Sequence, residues 1–408
     1  MMDNDVFPES EYEKRKRKRR NKRITISLLS VIVVLVAGVV LAEVLTEGGL
    51  SSYIKLHTAL LKPDVNEEVI EDEPLLDVVE EIKPTKIIFT GDVYLSDYVL
   101  SNYDSAGLDG VLSTGLQAKL TSADILMVNN EFPYSTRGEQ APDKQYTFRV
   151  DPKYVEILNG FGVDIAGLAN NHVLDFGRDA LLDTFDTLDG AGIEYTGAGK
   201  DIDDASKLII KEVNGKKYGF LAASRVIPTG SWNIENGGPG VFCTYDTTRL
   251  VEEIGKAKER CDYVFVCVHW GTEHTAELED HQKEIGHALI DAGADGVIGA
   301  HPHCLQGIEF YNDRPIFYSL GNFIFNMSIE KTVAVEFTID ENGNEIITLI
   351  PASAVSAKTS LLTDSDATNI YKYLESISTG IKITDDGVLE KSNDAIDASL
   401  MDNDELSE

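Results

Sequence analysis

Five segments of the chain end an apolar run on a side chain able to bind a metal. KIIFTGD ends on Asp92, ILMVNNE on Asn130 and Glu131, and DIAGLANNH on Asn170, Asn171 and His172. YVFVCVHWGTE carries His269 just past its run, and GVIGAHPH ends on His301 and His303. Each alone has a bland reading. An aspartate after a strand usually caps a helix, Asn-Asn serves turns, and a histidine in an apolar run is usually a satisfied core residue. Jointly they read otherwise, because capping has no use for three histidines at strand ends. A hydrolytic centre with two cations about 3.5–4 Å apart wants a bridging carboxylate, imidazole nitrogens and further oxygen donors. Such mixed donors suit Mn, Fe or Zn better than Ca. Imidazoles bind as the neutral form, so metal binding is expected to weaken below about pH 6.

The elements that must position these groups follow from the pattern. The short apolar runs alternate with amphipathic stretches near 152–160, 178–190, 248–259 and 278–292. That alternation predicts an α/β domain, with its site at the carboxyl ends of strands. Three further segments, around Asn214-Gly215, Asn312-Asp313 and Asn342-Gly343, predict hairpins. Two mixed β-sheets flanked by helices fit this pattern better than one parallel sheet.

The chain has 408 residues and a net charge of −33, yet nine of its 36 basic residues lie at 14–23. So acidic a surface repels nucleic acid at long range. The 19 uncharged residues 24–42 are long enough to predict a transmembrane helix. With the basic block before it, the positive-inside rule predicts a single-pass protein with a cytoplasmic amino terminus and an extracellular main domain. The expected organisation is a basic segment 1–23, the span 24–42, an acidic stalk 43–84, the main domain 85–355, a helical extension 356–380 and an acidic tail 381–408 with no structure assigned. Cys243, Cys261, Cys267 and Cys304 read as scattered free thiols.

Seven motifs in order resemble the CapA-type family: GD at 91–92, NNE at 129–131, FRVDP at 148–152, NNHVLDFG at 170–177, HWGTE at 269–273, GAHPH at 299–303 and SLGNF at 319–323. That family is tied to poly-γ-glutamate capsule biosynthesis and has the calcineurin-like metallophosphoesterase fold, a two-sheet sandwich. The resemblance spans about residues 85–355. It implies a metal set of Asp92, Glu131, Asn171, His269, His301 and His303, holding one or two divalent transition ions. His172 follows the asparagine where the fold has its general acid, and the spacing suggests Asp175 as the group that orients it. Two departures stand out. Tyr94 occupies a position that is usually histidine, and Glu131 replaces the usual bridging aspartate, so one ion or a weakly held second is an open alternative. Arg149 and Glu273 are the candidate substrate-binding residues, with an ion pair or a solvated position as their bland reading.

The leading functional expectation is a membrane-anchored hydrolase or transferase, in which metal-activated water attacks a phosphoester or an amide. An anionic envelope polymer such as poly-γ-glutamate is its context and membrane polymer synthase subunits its partners. The alternatives are a non-catalytic accessory subunit that binds anionic polymer, and an extracellular nucleotidase.

Overall fold

The computed structural model describes residues 83–392. In chain order the strands are β1 (Thr85–Val93), β2 (Ile125–Asn130), β3 (Ile165–Gly167), β4 (Glu194–Thr196), β5 (Ala198–Gly199), β6 (Ile209–Val213), β7 (Lys216–Ser224), β8 (Gly240–Val241) and β9 (Tyr263–His269). They continue as β10 (Gly296–Ala300), β11 (Ile308–Tyr311), β12 (Arg314–Phe317), β13 (Asn322–Ile324), β14 (Ser328–Ile339), β15 (Glu345–Val355), β16 (Lys358–Leu361), β17 (Ile381–Ile383) and β18 (Leu389–Lys391). An eight-stranded sheet runs β16-β15-β14-β1-β2-β3-β4, with β13 also paired to β1, and a six-stranded sheet runs β11-β12-β10-β9-β7-β6. Both are mixed. β1, β2, β3 and β4 are parallel, as are β7, β9, β10 and β12, while β14, β15, β16, β6 and β11 run antiparallel to their neighbours.

The three expected hairpins form as β6–β7, β11–β12 and β14–β15. Asn214 and Gly215 both have positive φ, at 51° and 78°, which is the turn that matches strand twist in a two-residue loop.

The sheets pack face to face on aromatic rings. Phe89 of β1 lies 6.1 Å from Phe220, 5.2 Å from Phe265 and 5.8 Å from Phe337, so both sheets meet on one side chain. Along β9 the period of two is explicit. Tyr263, Phe265 and Cys267 face this interior, whereas Val264, Val266 and Val268 pack with Leu250, Ile254, Ile285 and Leu289 of helices Thr248–Lys258 and Asp280–Asp291. Each buried branched or aromatic side chain contributes about 1.5–3 kcal/mol. The four cysteines are free thiols.

The structure departs from the sequence reading in two ways. Past Gly380, where no structure was assigned, β17 and β18 pair antiparallel, and Ile381, Ile383 and Leu389 join the core. The transmembrane expectation is corrected. Among the described residues no helix is long and apolar enough to cross a membrane. The longest, Gly177–Ala191, has 15 residues and buries only one stripe, Ala180, Leu181, Thr184, Phe185 and Leu188, whereas a span needs about 20 apolar residues. The expected span 24–42, with the basic segment and the stalk up to residue 82, lies outside the described residues. Membrane anchoring, the single-pass topology and the extracellular placement built on it are therefore not carried forward.

Candidate metal centre

The centre forms where the carboxyl ends of β1, β2 and β3 meet those of β9 and β10. His269 ends β9 in phase with Tyr263, Phe265 and Cys267, so its ring faces the opposite sheet. On β2, Met127 and Asn129 face back: the Met127 sulfur is 3.6 Å from Cys267 Sγ, and Asn129 Nδ2 is 3.4 Å from His269 Nδ1. Asp92 starts out of phase with Phe89. A bulge corrects this, since Phe89 pairs with Met127 and Asp92 with Asn129, setting three steps of β1 against two of β2. Gly91 sits in the bulge, where a Cβ would come within 1.9 Å of the Gly321 carbonyl oxygen. Asp92 N–H donates to that same oxygen at 2.9 Å.

After β10 the chain turns sharply. His301 and His303 have φ of 100° and 57°, a left-handed backbone that costs on the order of 1–3 kcal/mol at a non-glycine residue. It brings both rings to one place, 5.8 Å apart, with His269 4.7 Å from His301.

Glu131 lies at the middle. Its Oε1 is 3.6 Å from His269 Nε2 and 4.0 Å from the Nε2 atoms of His303 and His172. Ligand atoms of Glu131, His269 and His301 lie within 4.8 Å of one another, as do those of Asp92, Glu131 and His303, and those of Glu273, His301 and His303. Glu131 therefore stands between two three-residue groups, and a divalent metal fits this donor set. Asn171 Oδ1 lies 2.8 Å from His269 Nε2 on the same side. The buried polar atoms test the fit. Both carboxylate oxygens of Glu131 and Nδ1 of His301 are buried without a hydrogen-bond donor or acceptor. Such orphaned groups cost about 1–3 kcal/mol each, more if charged, and a cation would satisfy all three.

Electrostatics agree. Burial, then the charge of Asp92, pushes Glu131 well above the usual carboxylate range. Burial, then the neighbouring imidazoles, pushes His269 well down and His301 down to about 3. For His303 burial acts downward, but Glu131, the Asp92 bond at 3.1 Å and Asn322 at 2.8 Å raise it to about 10. Without a cation, Glu131 and His303 are therefore both held toward their protonated forms.

Beside these groups, His172 is held from several sides. Its Nδ1 is 2.7 Å from Asp175 Oδ2, and Phe148 N–H donates to the same oxygen at 2.7 Å. The Lys144 ammonium bonds Asp175 Oδ1 and the Asn171 carbonyl and lies 3.0 Å from His172 Nδ1. The Phe148 ring stacks on His172 at 4.0 Å, and Tyr94 stacks behind Phe148 at 3.8 Å. Asp175 and His172 are buried, leaving Nε2 directed at Glu131.

Residues 86–327 match the family described as bacterial capsule synthesis protein PGA_cap. The chain belongs to the PGA_cap family. It is 32% identical over 261 residues to PGA biosynthesis protein CapA of Bacillus subtilis, covering 62% of this chain and 68% of that one. It is 28% identical over 295 residues to capsule biosynthesis protein CapA of Bacillus anthracis, covering 70% and 71%. It is also 32% identical over 213 residues to a probable polyglutamine synthesis accessory protein of Mycobacterium tuberculosis, covering 50% and 56%.

In this PGA_cap member, Asp92, Glu131, Asn171, His269, His301 and His303 converge, with His172 and Asp175 beside them. Arg149 does not join them. Its guanidinium bonds the carbonyls of Arg137 and Gly138 and lies 4.0 Å over the Phe176 ring. Glu273 is exposed at the rim beside His301 and His303. Tyr94 belongs to the aromatic stack; burial, then Asp97 and Asp175, raises its phenol to about 12, so it is a neutral ring at ordinary pH. Three residues have contacts in the centre that the sequence reading did not assign to them. Asn129 bridges Asp92 and His269, Asn322 meets His303, and Lys144 holds Asp175. The first two lie inside recognised motifs, NNE and SLGNF. Lys144 had no signal, because only the folded loop carries it to the site.

Proposed function

We propose that this chain is a metal-dependent hydrolase or transferase acting on an anionic polymer of the poly-γ-glutamate type. The observation that carries the reading is Glu131, with two buried oxygens lacking any donor among three imidazoles. The names of the relatives, PGA biosynthesis and capsule biosynthesis proteins, supply the polymer.

One or two ions of Mn, Fe or Zn, held by Asp92, Glu131, Asn171, His269, His301 and His303, would polarise the scissile group and activate water there. The remaining chemistry belongs to the chain. His172 gives a proton from Nε2 to the leaving group as general acid. Asp175 accepts the Nδ1 proton and fixes the ring, while Lys144 and the Phe148 amide hold both Asp175 oxygens. Phe148 covers one face of the imidazole and keeps it aimed at Glu131. Glu273, at the open side, meets the incoming polymer.

The test is metal content together with parallel assays of phosphoesters and γ-glutamyl amides on the full chain. His172→Ala should keep its metal and lose turnover, and Asp92→Ala should lose both. If the metal-loaded wild type binds polymer but turns over neither substrate class, the chain is an accessory subunit of a polymer synthase instead.

A further inference from the structure

Next to this centre lies a second, separate cleft. At the end of β7, Ser224 pairs in register with His269, and the following N–H, of Arg225, donates to the His269 carbonyl at 2.7 Å. Arg225 then lines a cleft of about 460 Å³ together with Thr244, Tyr245, Asp246, His281 and Glu284. That volume lies in the range of about 300–1,000 Å³ found for small-molecule sites, and strand carboxyl ends are where open α/β sheets place them.

Two charges in this cleft, on Arg225 and Glu284, lack a partner among the described residues. Arg137, Arg249 and Arg314 all pair with carboxylates. The Arg225 guanidinium instead lies 4.2 Å over the Tyr245 ring, and among the described residues it makes no hydrogen bond or ion pair. The ring holds the guanidinium in place while its N–H groups stay available. Asp246 is already engaged, accepting the Thr248 N–H at 2.9 Å. Glu284, exposed on helix Asp280–Asp291, has no such bond among the described residues. His281 Nε2 and Thr244 Oγ1 are buried without a hydrogen-bond partner.

We propose that this cleft binds an α-amino acid group, with its carboxylate on Arg225 and its ammonium on Glu284. A guanidinium takes a carboxylate through two parallel N–H bonds. A phosphate would meet the same arginine but also face Glu284 and Asp246, and a simple amine would meet Glu284 but also face Arg225. Only a zwitterion satisfies both signs. In a γ-linked glutamate chain, every residue but the first has its nitrogen tied into an amide. The amino end alone presents ammonium and carboxylate on one carbon, so this cleft would hold the polymer by that end. The polymer's identity rests on the function proposed above; the binding of an α-amino acid does not.

Calorimetric titration of the full chain with L-glutamate, glutarate and inorganic phosphate tests this. L-glutamate should bind at least about tenfold more tightly than either of the others, and Arg225→Ala and Glu284→Ala should each weaken it by about tenfold or more. Arg225→Lys should recover part of the affinity, separating lost charge from misfolding. L-glutamate binding no tighter than glutarate or phosphate, or untouched by Arg225→Ala, overturns the proposal. His269→Ala should empty the metal centre and leave glutamate binding intact, so failure of the catalytic reading is distinguishable from failure of this one.

Discussion

Asp92 stands directly opposite Asn129, whose amide donates to its Oδ1 at 2.7 Å, although the period of two from Phe89 would have turned Asp92 to the other face of the sheet. The bulge at Gly91 makes the difference, and the bulge exists because no side chain separates β1 from Gly321.

Gly91→Ala should therefore act on the centre from the backbone. The added methyl meets a carbonyl oxygen rather than a flexible side chain, so β1 must shift. Overpacking of this kind costs about 1–3 kcal/mol, and Asp92 should lose its aim. Thermal unfolding should show the lower stability, and metal analysis a loss of bound ion beyond what partial unfolding explains.

Glu131→Gln should separate stability from function. Burial raises Glu131 well above the usual carboxylate range, so it must take up a proton on folding, and replacing it by an uncharged amide should raise the stability of metal-free protein by about 1–3 kcal/mol near pH 8. The same variant should lose most of the stabilisation that added Mn or Zn gives the wild type. Denaturant unfolding with and without metal measures both.

Metal binding should tighten as pH rises. Glu131 and His303 are both raised in the metal-free centre, so a cation binding at neutral pH must expel protons held there. His269 and His301 are depressed and already neutral there, so they add little to the slope. Affinity should gain about tenfold per pH unit for each proton displaced. Calorimetry in buffers of different ionisation enthalpy should register proton release near pH 7; pH-independent binding without release would contradict the raised Glu131 and His303.

Lys144→Met should lower turnover without emptying the centre. It leaves one oxygen of the buried Asp175 without its ammonium, and a poorly aimed His172 should cost about 10²-fold in kcat, with KM little changed. Lys144→Arg should recover part of the loss. Metal content equal to wild type in both variants would place the effect on the proton donor rather than on the ions.

Much of this architecture was readable beforehand. The runs ending on Asp92, Glu131, Asn171, His269 and His303 are strand ends because short apolar stretches alternate with amphipathic ones, and burial is read residue by residue. The Asn214-Gly215 and Asn312-Asp313 turns were equally local, since their positive φ is a property of the residues themselves. Local pattern also marked three histidines as more than helix caps. Side-chain direction past a strand end was not local. Asp92 needed the bulge, His301 and His303 needed a left-handed backbone, and Lys144 and Phe148 needed the loop to fold over Asp175. Arg149 shows the converse, a residue inside a matching motif whose guanidinium is spent on carbonyls and a ring. Order along the chain determined which residues end strands and that those ends carry side chains able to bind a metal. Tertiary structure alone decided which of them share one space, because that depends on contacts between segments up to 211 positions apart, such as Asp92 and His303.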